Sequence, residues 1–326
     1  MSLDSDVIVD RRRIRRKLTF WRVVAALVAV AAIVAVGVIA TPGGRASLTS
    51  SGSIARVNID GLIRSDQARV EALERLEKSH AVAVIVHINS PGGTTAGSEQ
   101  LYDSLVRLKA KKPLVVVVEG LAASGGYITA IAADHIIARQ SSLVGSIGVL
   151  FQFPNFSELM KTVGVKVEEV KSSPLKAAPN GFEPTSPEAR AALDSLVKDS
   201  YAWFRNLVQT RRGMDDAQLE KVADGRVFTG RQSVDLKLID EIGDEKTAVA
   251  WLVSEKKIKA GLPVRDFKLT PRFGDLTFLR AATSLTLEAV GLGTIARKVE
   301  QSGLLHAADQ LSLDGMLALW RPAATN

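Results

Sequence analysis

The stretch that most constrains this chain is VVVVEGLAASGGYITAIA, residues 115–132. Four consecutive β-branched residues with no polar interruption suit a strand covered on both faces, as in a parallel sheet. The run closes in small residues and resumes with helical spacing, so the pattern predicts a buried strand, a tight turn and a helix that opens at Ser124. A serine there has two readings. It is an N-cap whose hydroxyl accepts a backbone N–H, or it is a nucleophile presented on a turn that Gly125 and Gly126 leave open. The Gly-x-Ser-x-Gly elbow is not present, because position 122 is alanine.

A chain of 326 residues with 46% apolar residues has enough material for a sizeable core. It has no cysteine, which excludes thiol nucleophiles, disulfides and thiolate metal sites. The formal charge of +7 is concentrated at one end: residues 1–22 hold seven Lys/Arg and three Asp, a net +4, which leaves only +3 for the other 304 residues. Basic and aromatic residues are not interleaved as a nucleic-acid groove would need, so no nucleic-acid partner is expected.

Residues 1–22 read as a basic cytoplasmic segment, and the eighteen uncharged residues 23–40 as a transmembrane helix. By the positive-inside rule the rest of the chain lies outside the cytoplasm. A cleaved signal peptide is the competing reading, but the apolar run is longer than a usual signal core. Residues 41–53 are rich in Pro, Gly and Ser and read as a linker. From residue 54 the pattern alternates. Strands are expected over 54–63, 81–88 and from Val115, and helices over 66–78, 95–109 and from Ser124, which is the signature of βαβ units and a parallel sheet. Further strands are expected at 135–138, 146–153 and 165–172, and helices at 186–212, 215–223 and 245–256. The folded domain is thus placed at 54–256. A helical extension is expected over 257–326, with amphipathic segments at 276–290 and 312–320.

Asn89-Ser90-Pro91-Gly92-Gly93 ends the second strand. Such a turn can simply permit positive φ, or its glycine N–H groups can stabilise an oxyanion. Ligands of open α/β sheets collect at the C-terminal strand ends, and both this turn and Ser124 fall there. A hydrolytic serine also needs a base. Of the four histidines only His87 falls near the turn, and packing or hydrogen bonding is its expected role. A lysine serves if enclosure lowers its pKa from about 10.4 towards neutrality. The loop at 171–187 carries two candidates, Lys171 and Lys176.

Asn89-Ser90-Pro91-Gly92-Gly93, Ala122-Ala123-Ser124-Gly125-Gly126-Tyr127, Gly145-Ser146-Ile147-Gly148-Val149 and the Lys176 loop, in this order, resemble the signal peptide peptidase A family of membrane-anchored serine proteases over roughly residues 54–243. The resemblance implies a ClpP/crotonase-like α/β fold and catalysis by a Ser/Lys dyad. Ser124 is then the nucleophile, Lys176 the general base and Ser146 the residue that orients the lysine. Gly93 and Gly125 supply the oxyanion-hole N–H groups, with Gly92 as substitute for Gly93. No metal or cofactor is implied. The implied substrates are remnant signal peptides and other extended apolar peptides at a bacterial inner membrane, cleaved on the periplasmic or extracytoplasmic side. A single copy of the catalytic unit resembles the short form of the family, whose members form ring-like homo-oligomers and can complete the dyad with a neighbouring subunit. Ser233 and Lys237 depart from the pattern, which has alanine and glycine there. Three other functions compete: a related ClpP-like protease with a specific membrane-protein substrate, an acyl-CoA enzyme of the crotonase type, and a catalytically silent membrane scaffold.

Overall fold

The computed structural model describes residues 52–269 and 317–319, with isolated positions 21, 24 and 28. The chain divides into two units, residues 1–51 and 52–326. The expected transmembrane segment falls outside the described residues except for Val24 and Val28, which are helical. Among the described residues no helix is long and apolar enough to cross a membrane. The expected helix at 276–290 and His306 also lie outside them.

The second unit is a mixed α/β fold. Its strands are β1 (Ser53–Asp60), β2 (Ala81–Ser90), β3 (Gly92–Thr94), β4 (Leu114–Ala123), β5 (His135–Ala138), β6 (Leu143–Gly145), β7 (Val227–Thr229), β8 (Glu241–Ile242), β9 (Val264–Asp266) and β10 (Leu317–Leu319). Its helices are α1 (Gln67–Glu77), α2 (Thr95–Lys109), α3 (Gly125–Ala130), α4 (Ser157–Thr162), α5 (Pro187–Arg212), α6 (Asp216–Val222), α7 (Gly230–Asp235) and α8 (Glu245–Glu255). The main sheet runs β7-β6-β4-β2-β1-β9, with β5 beside the first half of β4 and β8 beside β5. All its pairings are parallel except β6 with β7. β9 sits beyond residue 256, so the sheet continues into the segment expected to be a helical extension.

The four valines of β4 are fully buried because both faces of the sheet are covered. Val116 and Val118 join the larger core with Leu73, Leu105, Ile128 and Phe204 from the helices on one side. Val115 and Val117 pack with Ile54, Ile85, Ala248 and Leu252 under α8 on the other. Each such side chain contributes about 1.5–3 kcal/mol relative to exposure, which is why an unbroken apolar run, rather than an alternating one, is stable here.

Three expected elements differ. The strand expected at 146–153 lies earlier, at residues 143–145, because Gly145 and Ser146 take positive φ (107° and 52°) and end the ladder. Residues 165–172 pair with no neighbour among the described residues, and 165–170 are exposed, so β-branched composition alone did not make a strand. Within the helix expected at 312–320, residues 317–319 are instead extended, with β10 pairing antiparallel to β3.

Candidate functional site

Ser124 follows β4 directly and precedes α3. Its backbone is at φ 54°, ψ −116°, a region that L-residues rarely occupy, and its hydroxyl makes no helix-capping hydrogen bond. The N-cap reading is therefore not what the fold uses. The residue is 1% exposed, its N–H donates to the Gly145 carbonyl at 2.7 Å, and its Oγ faces the Gly148 carbonyl at 3.5 Å. A strained strand-to-helix turn of this sort costs on the order of 1–3 kcal/mol and concentrates at reactive sites.

Ser146 comes beside it through sheet register. Ala123 pairs with Gly145 across β4 and β6, so the residues that follow, Ser124 and Ser146, leave the sheet side by side. Ser146 is also left-handed, at φ 52°, and is 7% exposed. Its N–H donates to the Arg226 carbonyl at 2.8 Å.

Two backbone N–H groups stand at the same end of the sheet. That of Gly125 opens α3, where the first-turn donors have no intrahelical acceptor. That of Gly93 lies on β3, which packs against α3. Ile63 pairs with one edge of β3, donating to the Gly92 carbonyl at 2.9 Å and accepting from the Thr94 N–H at 2.9 Å. By strand alternation the N–H and carbonyl of Gly93 face the other edge, where Ala318 of β10 pairs with it. A side chain at 93 would collide with Ile63, its Cβ falling 1.7 Å from the Ile63 carbonyl oxygen. Both glycines are engaged: the Ser90 hydroxyl accepts the Gly92 N–H at 3.1 Å, and β10 pairs at Gly93.

Neither lysine hydrogen-bonds Ser124 among the described residues, where the Ser124 hydroxyl faces the Gly148 carbonyl. Lys171 is held by the carboxylates of Glu169 and Glu183, both at 2.6 Å. These pairings push its pKa above the ordinary lysine value, Glu169 foremost, the opposite of what a base needs. Lys176 is exposed, on a loop, and its amine has no hydrogen-bond or ion-pair partner among the described residues. The surrounding segment exposes Phe156, Leu159, Val163, Val170, Leu175 and Phe182.

His87 is placed elsewhere, on the sheet face next to α8. Its Nδ1 lies 2.7 Å from Glu119 and its Nε2 2.9 Å from Glu245. With both ring nitrogens committed to carboxylates it is a structural bridge. Sequence reasoning gave Ser90 no role of its own, although a serine directly before Pro-Gly-Gly is a recognisable side-chain-to-backbone turn signal.

Two family models match the chain: peptidase family S49 over residues 106–259 and Clp protease over residues 56–142. The protein named "Putative protease slr0021" of Synechocystis is 36% identical over 200 residues, 61% of this chain and 72% of that protein. Protease 4 of Haemophilus influenzae is 33% identical, over 66% of this chain and 37% of its own length. Serine protease SPPA, chloroplastic, of Arabidopsis thaliana is 30% identical, over 83% and 40% respectively. The chain thus spans well under half of the last two relatives. Among solved structures, a point mutant of ClpP1 from Listeria monocytogenes aligns at a TM-score of 0.39 and 17% identity, over 58% of this chain and 91% of that one.

Proposed function

The chain belongs to peptidase family S49, and from that premise we propose that it is a membrane-anchored serine endopeptidase with Ser124 as nucleophile and Lys176 as general base. The observation that carries the reading is the backbone of Ser124, strained at φ 54°, ψ −116° with its hydroxyl withheld from capping, directly before the α3 N-terminus at Gly125, the helix against which β3 and its Gly93 pack. In the reaction, the Lys176 amine takes the Ser124 hydroxyl proton as Oγ bonds to the scissile carbonyl carbon. The carbonyl oxygen becomes an oxyanion that accepts from the two N–H groups, each such donor being worth roughly 10²–10³ in rate. The C–N bond then breaks, the leaving amine receives the proton, and water hydrolyses the resulting ester with Lys176 again as base. Ser146 orients the lysine.

A lysine works as a base only in an enclosed seat, and Lys176 is exposed in a single chain. The apolar residues exposed around it supply a surface for a second copy of this chain. The active unit is accordingly a homo-oligomer in which Lys176 of one subunit serves Ser124 of the next. Substrates are remnant signal peptides and other extended apolar peptides, met at the bilayer by a chain anchored through residues 23–40 with its catalytic unit on the extracytoplasmic side of a bacterial inner membrane. The names of the relatives support the protease assignment, and the apolar run supports the anchor.

The test is hydrolysis of an apolar signal-like peptide by the full chain in detergent. Ser124→Ala and Lys176→Ala each lower turnover at least about 10³-fold, while His87→Ala leaves turnover measurable. An active Lys176→Ala protein alongside a dead His87→Ala protein would mean that the base is misassigned.

A further inference from the structure

Ser90, the last residue of β2, is 0% exposed. Its hydroxyl donates to the Gly61 carbonyl at 2.7 Å and accepts the Gly92 N–H at 3.1 Å. The single hydroxyl proton goes to Gly61, so a lone pair is free for Gly92, and the Gly92 carbonyl lies further off at 3.4 Å. The backbone of the same residue abuts the turn after Ser124: a Cβ added at Gly126 would come within 2.7 Å of the Ser90 carbonyl oxygen. In register, Ser90 pairs with Ala122.

Gly92 sits at φ 103° with no side chain to restrict it. Two peptide planes flank it. The plane on its carbonyl side carries the N–H of Gly93, and its carbonyl is held by the Ile63 N–H at 2.9 Å. The plane on its amide side carries the Pro91 carbonyl and the Gly92 N–H, and that N–H is held by the Ser90 hydroxyl at 3.1 Å. With both planes pinned, the rotation of Gly92 is determined, and with it the direction of the Gly93 N–H. We propose that Ser90 is a positioning residue of the oxyanion hole, its hydroxyl fixing the Gly92-Gly93 backbone while its own backbone sets the spacing to the nucleophile turn. This rests on the assignment of Gly93 as an oxyanion donor.

The experiment compares Ser90→Ala, Ser90→Cys and the control Ser104→Ala in the full chain. Ser104 also loses a buried hydroxyl, one that donates to the Gln100 carbonyl within α2, with no link to β3. The readouts are kcat and KM for an apolar peptide, affinity for a peptide boronate that forms a tetrahedral adduct, and the urea midpoint. Ser90→Ala should lower kcat roughly 10- to 100-fold with KM within about 3-fold, and weaken the boronate in proportion. Ser90→Cys, a near-isostere and poorer hydrogen-bonding group, should fall between it and wild type, and Ser104→Ala should stay within about 2-fold of wild type. A Ser90→Ala protein whose kcat and boronate affinity fall no further than those of Ser104→Ala overturns the proposal. If Ser90→Ala does not fold, Ser90→Cys decides it by the same two readouts, with wild-type kcat overturning it. Turnover of Ser124→Ala within about 10-fold of wild type would strike the protease reading itself, whereas a Ser124→Ala loss of the expected size beside a normal Ser90→Ala strikes only the role of Ser90.

Discussion

At the residue scale, the two departures from the family pattern have different consequences. Ser233 is 0% exposed and its hydroxyl has no hydrogen-bond partner among the described residues. A buried, unsatisfied hydroxyl costs about 1–3 kcal/mol, so Ser233→Ala is expected to raise unfolding stability by about 1 kcal/mol, read from urea denaturation with unchanged slope. A loss of stability would show that the hydroxyl is satisfied after all. Lys237 takes the left-handed position after α7, at φ 59°. There the Leu238 N–H reaches the Ser233 carbonyl at 2.8 Å and the Lys237 N–H reaches that of Val234 at 3.0 Å, the helix-ending pattern that glycine usually serves. The Lys237 carbonyl is held by Arg212 Nε at 2.7 Å, so the non-glycine residue is tolerated and the turn geometry is kept.

At the scale of elements, the start of α8 is tied to the sheet by charge. Glu245 accepts from Arg56 at 2.5 and 2.6 Å and meets His87 at 2.9 Å, and His87 in turn meets Glu119 on β4. Arg56 first, then His87, holds the Glu245 carboxyl below the ordinary glutamate range. A carboxylate with a depressed folded-state pKa contributes stability that is present above its unfolded value, about 4.3, and lost as pH falls through the folded value. Glu245→Gln should therefore be less stable than wild type at pH 7, by about 1–3 kcal/mol. The gap should narrow as pH falls below about 4, as urea titrations at several pH values would register; a gap independent of pH would refute the linkage. A second element-scale expectation concerns β10, which pairs with the edge of β3 that carries the Gly93 N–H. A substrate oxyanion and β10 then compete for one donor. Ala318→Pro removes the N–H that faces the Gly93 carbonyl, loosens β10 from β3 and so frees the Gly93 N–H, which should raise kcat/KM. Unchanged kinetics would separate β10 from catalysis.

For the whole molecule, the dyad shared between subunits makes a quantitative claim. Ser124→Ala and Lys176→Ala proteins, each inactive alone, should recover about a quarter of wild-type activity when mixed and allowed to exchange subunits, because half the serines and half the lysines survive and pair at random. No recovery after demonstrated exchange, or full activity in a monomer, would place both groups in one chain. Much of this molecule was legible in its sequence wherever local pattern and burial agree. The Val115–118 run, the helices at 67–77, 95–109 and 187–212, and the turn at Ser124 all follow from periodicity and small-residue punctuation, which act over a few residues. Other features depend on partners far along the chain and only the tertiary structure decided them. Residues 165–172 had strand composition but pair with no strand among the described residues, and 317–319 found an edge on β3. His87 went to two carboxylates on α8 and β4, Ser90 to the Gly61 carbonyl, and Ser146 beside Ser124 by register alone. A strand needs a neighbour and a buried polar group needs an acceptor, and neither is written in the residues adjacent to it.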